Sequence, residues 1–106
     1  MEAILDLYTY LYGNKTLKDE LIINGLNEEK SLLSALGIVN DLIDRLLSID
    51  PKVLINESIK TIYHKFDIIE PYLVNEYGQI NALILHDILI NEYDELLNKL
   101  KEILNI

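Results

Sequence analysis

Cysteine and tryptophan are absent from these 106 residues, phenylalanine occurs once, and proline and glycine number two and four. Without cysteine there is no thiol nucleophile, disulfide scaffold, iron–sulfur cluster or zinc finger. The four glycines are isolated from one another, so there is no glycine-rich loop to cradle a phosphate. Positive charge is scarce as well. Nine basic residues, Arg45 the only arginine, face eighteen acidic ones, for a formal net charge of −9. The acidity is spread: nine acids and five bases in residues 1–53, nine and four in residues 54–106. Phosphate backbones are bound by clustered Lys and Arg that release counterions, so this charge pattern argues against nucleic acid as a partner.

Long hydrophobic runs are missing too. The most apolar window, Ile80 to Ile90, contains Asn81, His86 and Asp87. It falls far short of the roughly 20 apolar residues of a membrane span. Asp6 interrupts the first apolar run, and no basic region precedes it. The expectation is a soluble, cytoplasmic protein with no membrane partner.

What is present is apolar surface at helical spacing. Half of the residues are hydrophobic. A chain of this length forms one domain, 1–106, and buries roughly two-thirds of its unfolded surface. Ile4, Leu7, Tyr8 and Leu11 follow the i, i+3, i+4, i+7 pattern until Gly13–Asn14 interrupts it. Thr16 is the expected N-cap of a short helix through Leu17, Leu21 and Ile22, ended by Asn24–Gly25. Asn27 is the expected cap of a third helix, whose apolar face runs from Leu32 through Leu46. Asp50–Pro51 reads as N-cap and first helical residue of a fourth, with the stripe Ile55, Ile59, Ile62, Phe66, Ile69. After Pro71, residues Tyr72 to Tyr77 read as a short helical piece closed by Gly78. The last stretch, Gln79 to Asn105, is helical in pattern, either unbroken or restarted at Asn91. Its first half is apolar nearly all round, as in a helix buried on more than one side. The fold class is therefore all-α, a compact bundle of four to six helices with short connections.

Chemistry-bearing constellations are few. No pair of His at i, i+4 and no Glu-x-x-His pairing occurs, so neither a metal nor another cofactor is assigned. Asp41 with Asp44, and Asp87 with Asn91 and Asp94, share helix faces in the manner of solvated carboxylates. The serines stand in no nucleophile elbow and beside no histidine. His64 lies off the apolar stripe of its helix. His86, beside Asp87 in the densest apolar window, is the one candidate imidazole for proton transfer. The stretch Asn81-Ala82-Leu83-Ile84-Leu85-His86 resembles the element of HEPN-type ribonucleases in which an Arg precedes a His by a few residues. Gln79, Ile80 and Asn81 stand where that Arg belongs, and Arg45 is remote in sequence. The enzymatic alternative is thus a small helical hydrolase or ribonuclease using His86 and nearby carboxylates. A helix-turn-helix reading of the Thr16 helix and its successor meets Glu28–Glu29, the wrong sign for phosphates.

Seven tyrosines make up nearly all the aromatic content, and tyrosine favours places that are dry on one side and wet on the other. Together with the surplus of apolar helix face, they point to a non-catalytic protein-interaction or self-assembling protein. The candidate interface residues are Tyr8, Tyr10, Tyr12, Ile80, Ile84 and Ile88. The simplest partner is a second copy, and a homodimer is the commonest such outcome. An inhibitor or regulator covering a basic target is the sharper variant. The abundance of Ile, Asn, Lys and Tyr with little Arg fits a viral or low-GC microbial source.

Overall fold

Most of the apolar stripes read from the sequence become inner faces of helices. A computed structural model describes residues 2–106. Helix α1 spans Glu2–Gly13, α2 Lys15–Asn24, α3 Glu29–Leu47, α4 Glu57–Ile69, α5 Ala82–Asp87 and α6 Tyr93–Leu104. A π-helical turn, Ile88–Glu92, joins α5 to α6 without a break, so the bundle consists of five helical rods. The described residues form no strand, only one isolated antiparallel bridge between Val74 and Ile80. The fold is all-α with short connections, as the periodicity predicts.

One continuous core fills the bundle. Helix α1 contributes Ile4, Leu7 and Leu11; α3 contributes six side chains from Ala35 to Leu46; α4 contributes Ile59, Ile62 and Phe66. The last rod supplies Leu85, Ile88, Leu89, Tyr93, Leu96, Leu97 and Leu100. Each Val, Leu, Ile or Phe among them contributes about 1.5–3 kcal/mol by leaving water. The first and last helices pack on each other most extensively, and α3 lies against both α1 and α4. The radius of gyration, 13.6 Å, is close to the roughly 13 Å of a compact chain of this length.

Several boundaries differ from the sequence expectation. Gly13–Asn14 does not end the hydrogen-bond ladder. The Asn14 N–H donates to Tyr10 O (3.1 Å) and the Lys18 N–H to Asn14 O (2.9 Å), so α2 starts at Lys15 and Thr16 caps nothing. On α2 the buried residues are Lys18 and Leu21, while Leu17 is exposed. Helix α3 begins beyond Glu28, with no side-chain cap from Asn27. Asp50–Pro51 opens only a 3-10 turn, Pro51–Val53, in which Asp50 accepts from the Lys52 N–H at 3.0 Å. The turn sends Leu54 into the core and leaves Ile55 outside at 80% exposure, so Ile55 does not belong to the buried stripe. Asn56 is the working cap of α4, its Oδ1 accepting from the Ile59 N–H at 3.2 Å.

Residues Tyr72 to Tyr77 are not a helix. A 3-10 turn, Glu70–Tyr72, leads into a narrow hairpin closed by Asn75 N–H to Gln79 O (3.0 Å) and Asn81 N–H to Leu73 O (2.9 Å). Asn75 causes this: its Oδ1 accepts from the N–H groups of Tyr77 and Gln79, both at 2.9 Å, and a side chain so placed holds the backbone in a turn. Gly78 takes φ +76° there, a left-handed conformation that glycine adopts without strain. Asn81 then caps α5 through the Ile84 N–H (3.2 Å). Asn91 starts no new helix; its amide donates to Asp87.

The fully buried Tyr93 hydroxyl donates to Leu11 O in the last turn of α1, where helix carbonyls lack intrahelical partners. Tyr93→Phe should therefore lower the unfolding free energy by about 1–1.5 kcal/mol in urea titrations. The exposed Tyr72→Phe should stay within about 0.5 kcal/mol. Equal effects of the two changes would contradict the role of the buried hydroxyl.

Candidate functional site

Three charged clusters tie the helices together. In the first, Lys18 on α2 is 1% exposed, and its Nζ lies 2.6 Å from Asp19 Oδ1 and 2.9 Å from Asp94 Oδ1 on α6. The ammonium also lies 4.9 Å from the centroid of the Tyr93 ring, within cation–π range. Lys15 reaches Asp19 at 3.1 Å. Burial lowers the Lys18 pKa, but its hydrogen bonds to Asp19 and Asp94 outweigh burial, and the net shift is upward. Hydrogen bonds from Lys18, then Lys15, hold Asp19 below the usual carboxylate range.

The second cluster joins α4 to the π turn. Lys65 donates to Asp87 Oδ2 at 2.9 Å and to Glu92 Oε1. Burial again opposes the ammonium, its bonds to Glu92 and Asp87 prevail, and Lys65 is shifted upward. Asp87 is held low by hydrogen bonds from Lys65 and then Asn91. The other Glu92 oxygen, Oε2, is buried without a partner. π-helical turns often occur at functional sites, but here the turn serves an ion cluster.

The third cluster lies between α1 and α3. Arg45 pairs with Asp6 and sits 4.6 Å from the centroid of the Tyr10 ring. The Tyr10 hydroxyl donates to Asp41 Oδ2 at 3.2 Å. Burial, then the Asp41 charge and hydrogen bond, push the Tyr10 phenol up to about 12 against the opposing Arg45 charge. Arg45 is thus engaged with α1 and does not complete the Arg–His element suggested by Asn81–His86.

Exposed apolar side chains are scattered over several elements, Ile23, Val53, Ile55 and Ile68 among them, and two groups stand close together. On α1, Leu5, Tyr8 and Tyr12 form a second stripe beside the buried one, with the Tyr8 and Tyr12 ring centroids 5.9 Å apart. At the hairpin and start of α5, three shallow depressions of about 310, 320 and 250 Å³ adjoin. The first lies between Tyr72, Ile80 and Leu83; the third lies between Leu26, Leu83 and His86. The second, by Asn24 and Glu28, shares Gly25 and Asn27 with the third. Leu83 is 84% exposed, on the ridge between the first and third.

The sequence-predicted residues fall in different places. Tyr12 is exposed, while Tyr8 and Tyr10 are half-buried. Ile80 and Ile84 are half-buried against the core. Ile88 is wholly enclosed in the core, because the last rod runs through the bundle with that side inward. The Ile80–Ile90 window is not buried all round: Leu83 and Ile90 face outward. His64 and His86 are both exposed. The sequence gives no local sign of Lys18 as a buried cation, since its partner Asp94 is 76 residues away.

No protein-family model matches this chain. Comparison with curated proteins and with solved structures finds no similar protein.

Removing the countercharges of Lys18 should cost more than removing the cation. Asp19→Asn with Asp94→Asn should destabilise by about 2–3 kcal/mol, below the full cost of an orphaned charge because both carboxylates are half-exposed. Lys18→Met, which fills the same space, should change stability by less than about 1 kcal/mol. Equal losses in chemical denaturation would contradict this account.

Stability should also depend on pH at both ends. The lowered pKa values of Asp19 and Asp87 give stability that is complete above the unfolded carboxylate value of about 4 and lost as pH falls through the folded values. The raised values of Lys18 and Lys65 give stability complete below about 10.4 and lost as pH rises through the folded values. Urea titrations should show a plateau from roughly pH 5 to roughly pH 9, and Lys18→Met should weaken the alkaline loss.

Proposed function

We propose that this chain is a non-catalytic protein-interaction module, a small acidic helical protein that acts by docking on a protein surface, its own copy included. The observation that carries this reading is that the exposed side chains of Tyr72 and Leu83 line one depression, and Leu83 a second beside it. Single exposed apolar residues are ordinary, whereas contiguous ones mark contact sites.

Charge supports a protein over a polyanion. Six of the nine basic residues, Lys15, Lys18, Arg45, Lys60, Lys65 and Lys99, are in ion pairs with carboxylates. What remains free on the surface is mostly anionic and repels phosphate. Among the described residues no helix is long and apolar enough to cross a membrane. A cytoplasmic inhibitor or regulator is the setting that fits best.

The hydrolase alternative is less well supported. Asp87, the carboxylate next to His86, is held by Lys65 and Asn91. That leaves His86 without the oriented carboxylate that a catalytic imidazole uses.

The test is to express the tagged chain in its native host and size it in gentle extracts. The expected result is a complex well above the 12.3 kDa of one chain. His86→Ala should change stability by less than about 0.5 kcal/mol and remove no hydrolytic activity. A free monomer in extracts, with His86-dependent turnover of RNA or another substrate, would overturn the proposal.

A further inference from the structure

We propose that Asn24 is a self-modifying site, at which the backbone nitrogen of Gly25 attacks the side-chain carboxamide and converts the residue to aspartate and isoaspartate. The reaction needs only water, with no cofactor and no partner.

Ten asparagines occur in the chain, and Asn24 alone precedes a glycine. The following residue matters because its nitrogen must reach the Asn Cγ, and a side chain there stands in the way. Glu, Lys, Asp, Ala or Ile follows each of the other nine. Five of those nine are also held by their side chains. Asn14 donates to Tyr10 O, Asn91 donates to Asp87, Asn56 and Asn81 cap helices, and Asn75 closes the hairpin.

The fold leaves Asn24 open. It is the last residue of α2, it is exposed, and it borders the depression of about 320 Å³ with Gly25, Asn27, Glu28 and Ser31. The attacking N–H is held loosely. It donates to Ile22 O, three residues back, at 3.3 Å. That is longer than the usual distance of about 2.9–3.0 Å. Helix ends also open at lower cost than helix interiors. Gly25 itself is required, since its φ of +80° and ψ of 162° lie in a region that only glycine enters without strain. The turn out of α2 thus depends on the residue that makes Asn24 reactive.

The chemistry balances without oxidation or reduction. The Gly25 nitrogen loses its proton and bonds to Asn24 Cγ, and the Nδ2 group leaves as ammonia, closing a succinimide ring. Water then adds to either ring carbonyl and opens the ring. One opening gives aspartate in an ordinary backbone; the other runs the backbone through the side-chain carbons as isoaspartate. Either product is one unit more negative than a chain already at −9. The new carboxylate falls at the C-terminal end of α2, the unfavourable end for negative charge, in the same depression as Glu28. Isoaspartate also lengthens the backbone by one atom, two residues before the buried Leu26.

The test is to incubate the full chain at about pH 6 and about pH 8.5, both inside the range of constant stability. Each asparagine is followed by mass spectrometry, with fragmentation that separates aspartate from isoaspartate. Asn24 should convert before any other asparagine, to both products, and faster at the higher pH, where the nitrogen loses its proton more readily. Asn24→Gln should stop conversion at this position, because the longer side chain must close a six-membered ring, and it leaves the fold intact at an exposed site. The folded chain should convert within about tenfold of its rate in concentrated urea, since one hydrogen bond restrains the nitrogen. Asn24→Asp should raise the unfolding equilibrium constant about two- to fivefold.

Earlier conversion at another asparagine overturns the proposal, and so does no conversion at all. Aspartate without isoaspartate, or a rate indifferent to pH, overturns the succinimide route. A folded rate more than about tenfold below that in urea overturns the claim that the fold leaves the site open. Unchanged stability in Asn24→Asp overturns the claim that the new charge opposes α2.

Discussion

The bond from the Tyr93 hydroxyl to Leu11 O joins residues 82 positions apart, and the bundle is organised around it. It fixes the start of α6 against the end of α1, the pair of helices in most extensive contact. The same tyrosine ring backs the Lys18 ammonium, so α2 is drawn to the same point. Three helices thus meet at a polar knot inside an apolar core. Such a knot tolerates little rearrangement, since each buried polar group relies on partners supplied by another helix.

The scarcity of cations gives the protein its electrostatic character. Few as they are, three of the nine basic side chains, Lys18, Arg45 and Lys65, each join two elements. Lys18 alone among them is buried, while Arg45 and Lys65 bridge helices at the edge of the core. At the hairpin and the loop after α2, apolar side chains stand beside the carboxamides of Asn24, Asn27, Asn75, Gln79 and Asn81.

Much of this fold is legible in the sequence, and the misses share a cause. Stripes such as Ile59, Ile62 and Phe66 predict their helix because burial rewards one face regardless of context. Caps are harder to read. Asn56 and Asn81 act as caps while Thr16, Asn27 and Asp50, equally suited by chemistry, do not start α-helices. The difference lies in where the chain must deliver its next apolar residue. Leu54 has to enter the core before α4 can begin, so Asp50–Pro51 makes a turn instead. The candidate surface is only half legible. Tyr72 and Leu83 come together because Asn75 folds a hairpin between them, and a reading that sees a helix there cannot place them side by side. Lys18 is invisible for a similar reason, since what makes it buried comes from the far end of the chain.

The π turn at Ile88–Glu92 has a bearing on how the chain's length can vary. Its defining bond runs from the Tyr93 N–H to Ile88 O, five residues back instead of four. A loop closed in that way holds one residue more than an ordinary α-helical turn. Losing one residue there would restore the regular ladder between the same flanks, with Leu85 on one side and Tyr93 on the other still facing the core. Elsewhere in the rod the loss of a residue would rotate everything beyond it by about 100°. Related sequences that differ in length by a single residue would therefore keep this packing most easily if the difference fell between Ile88 and Glu92.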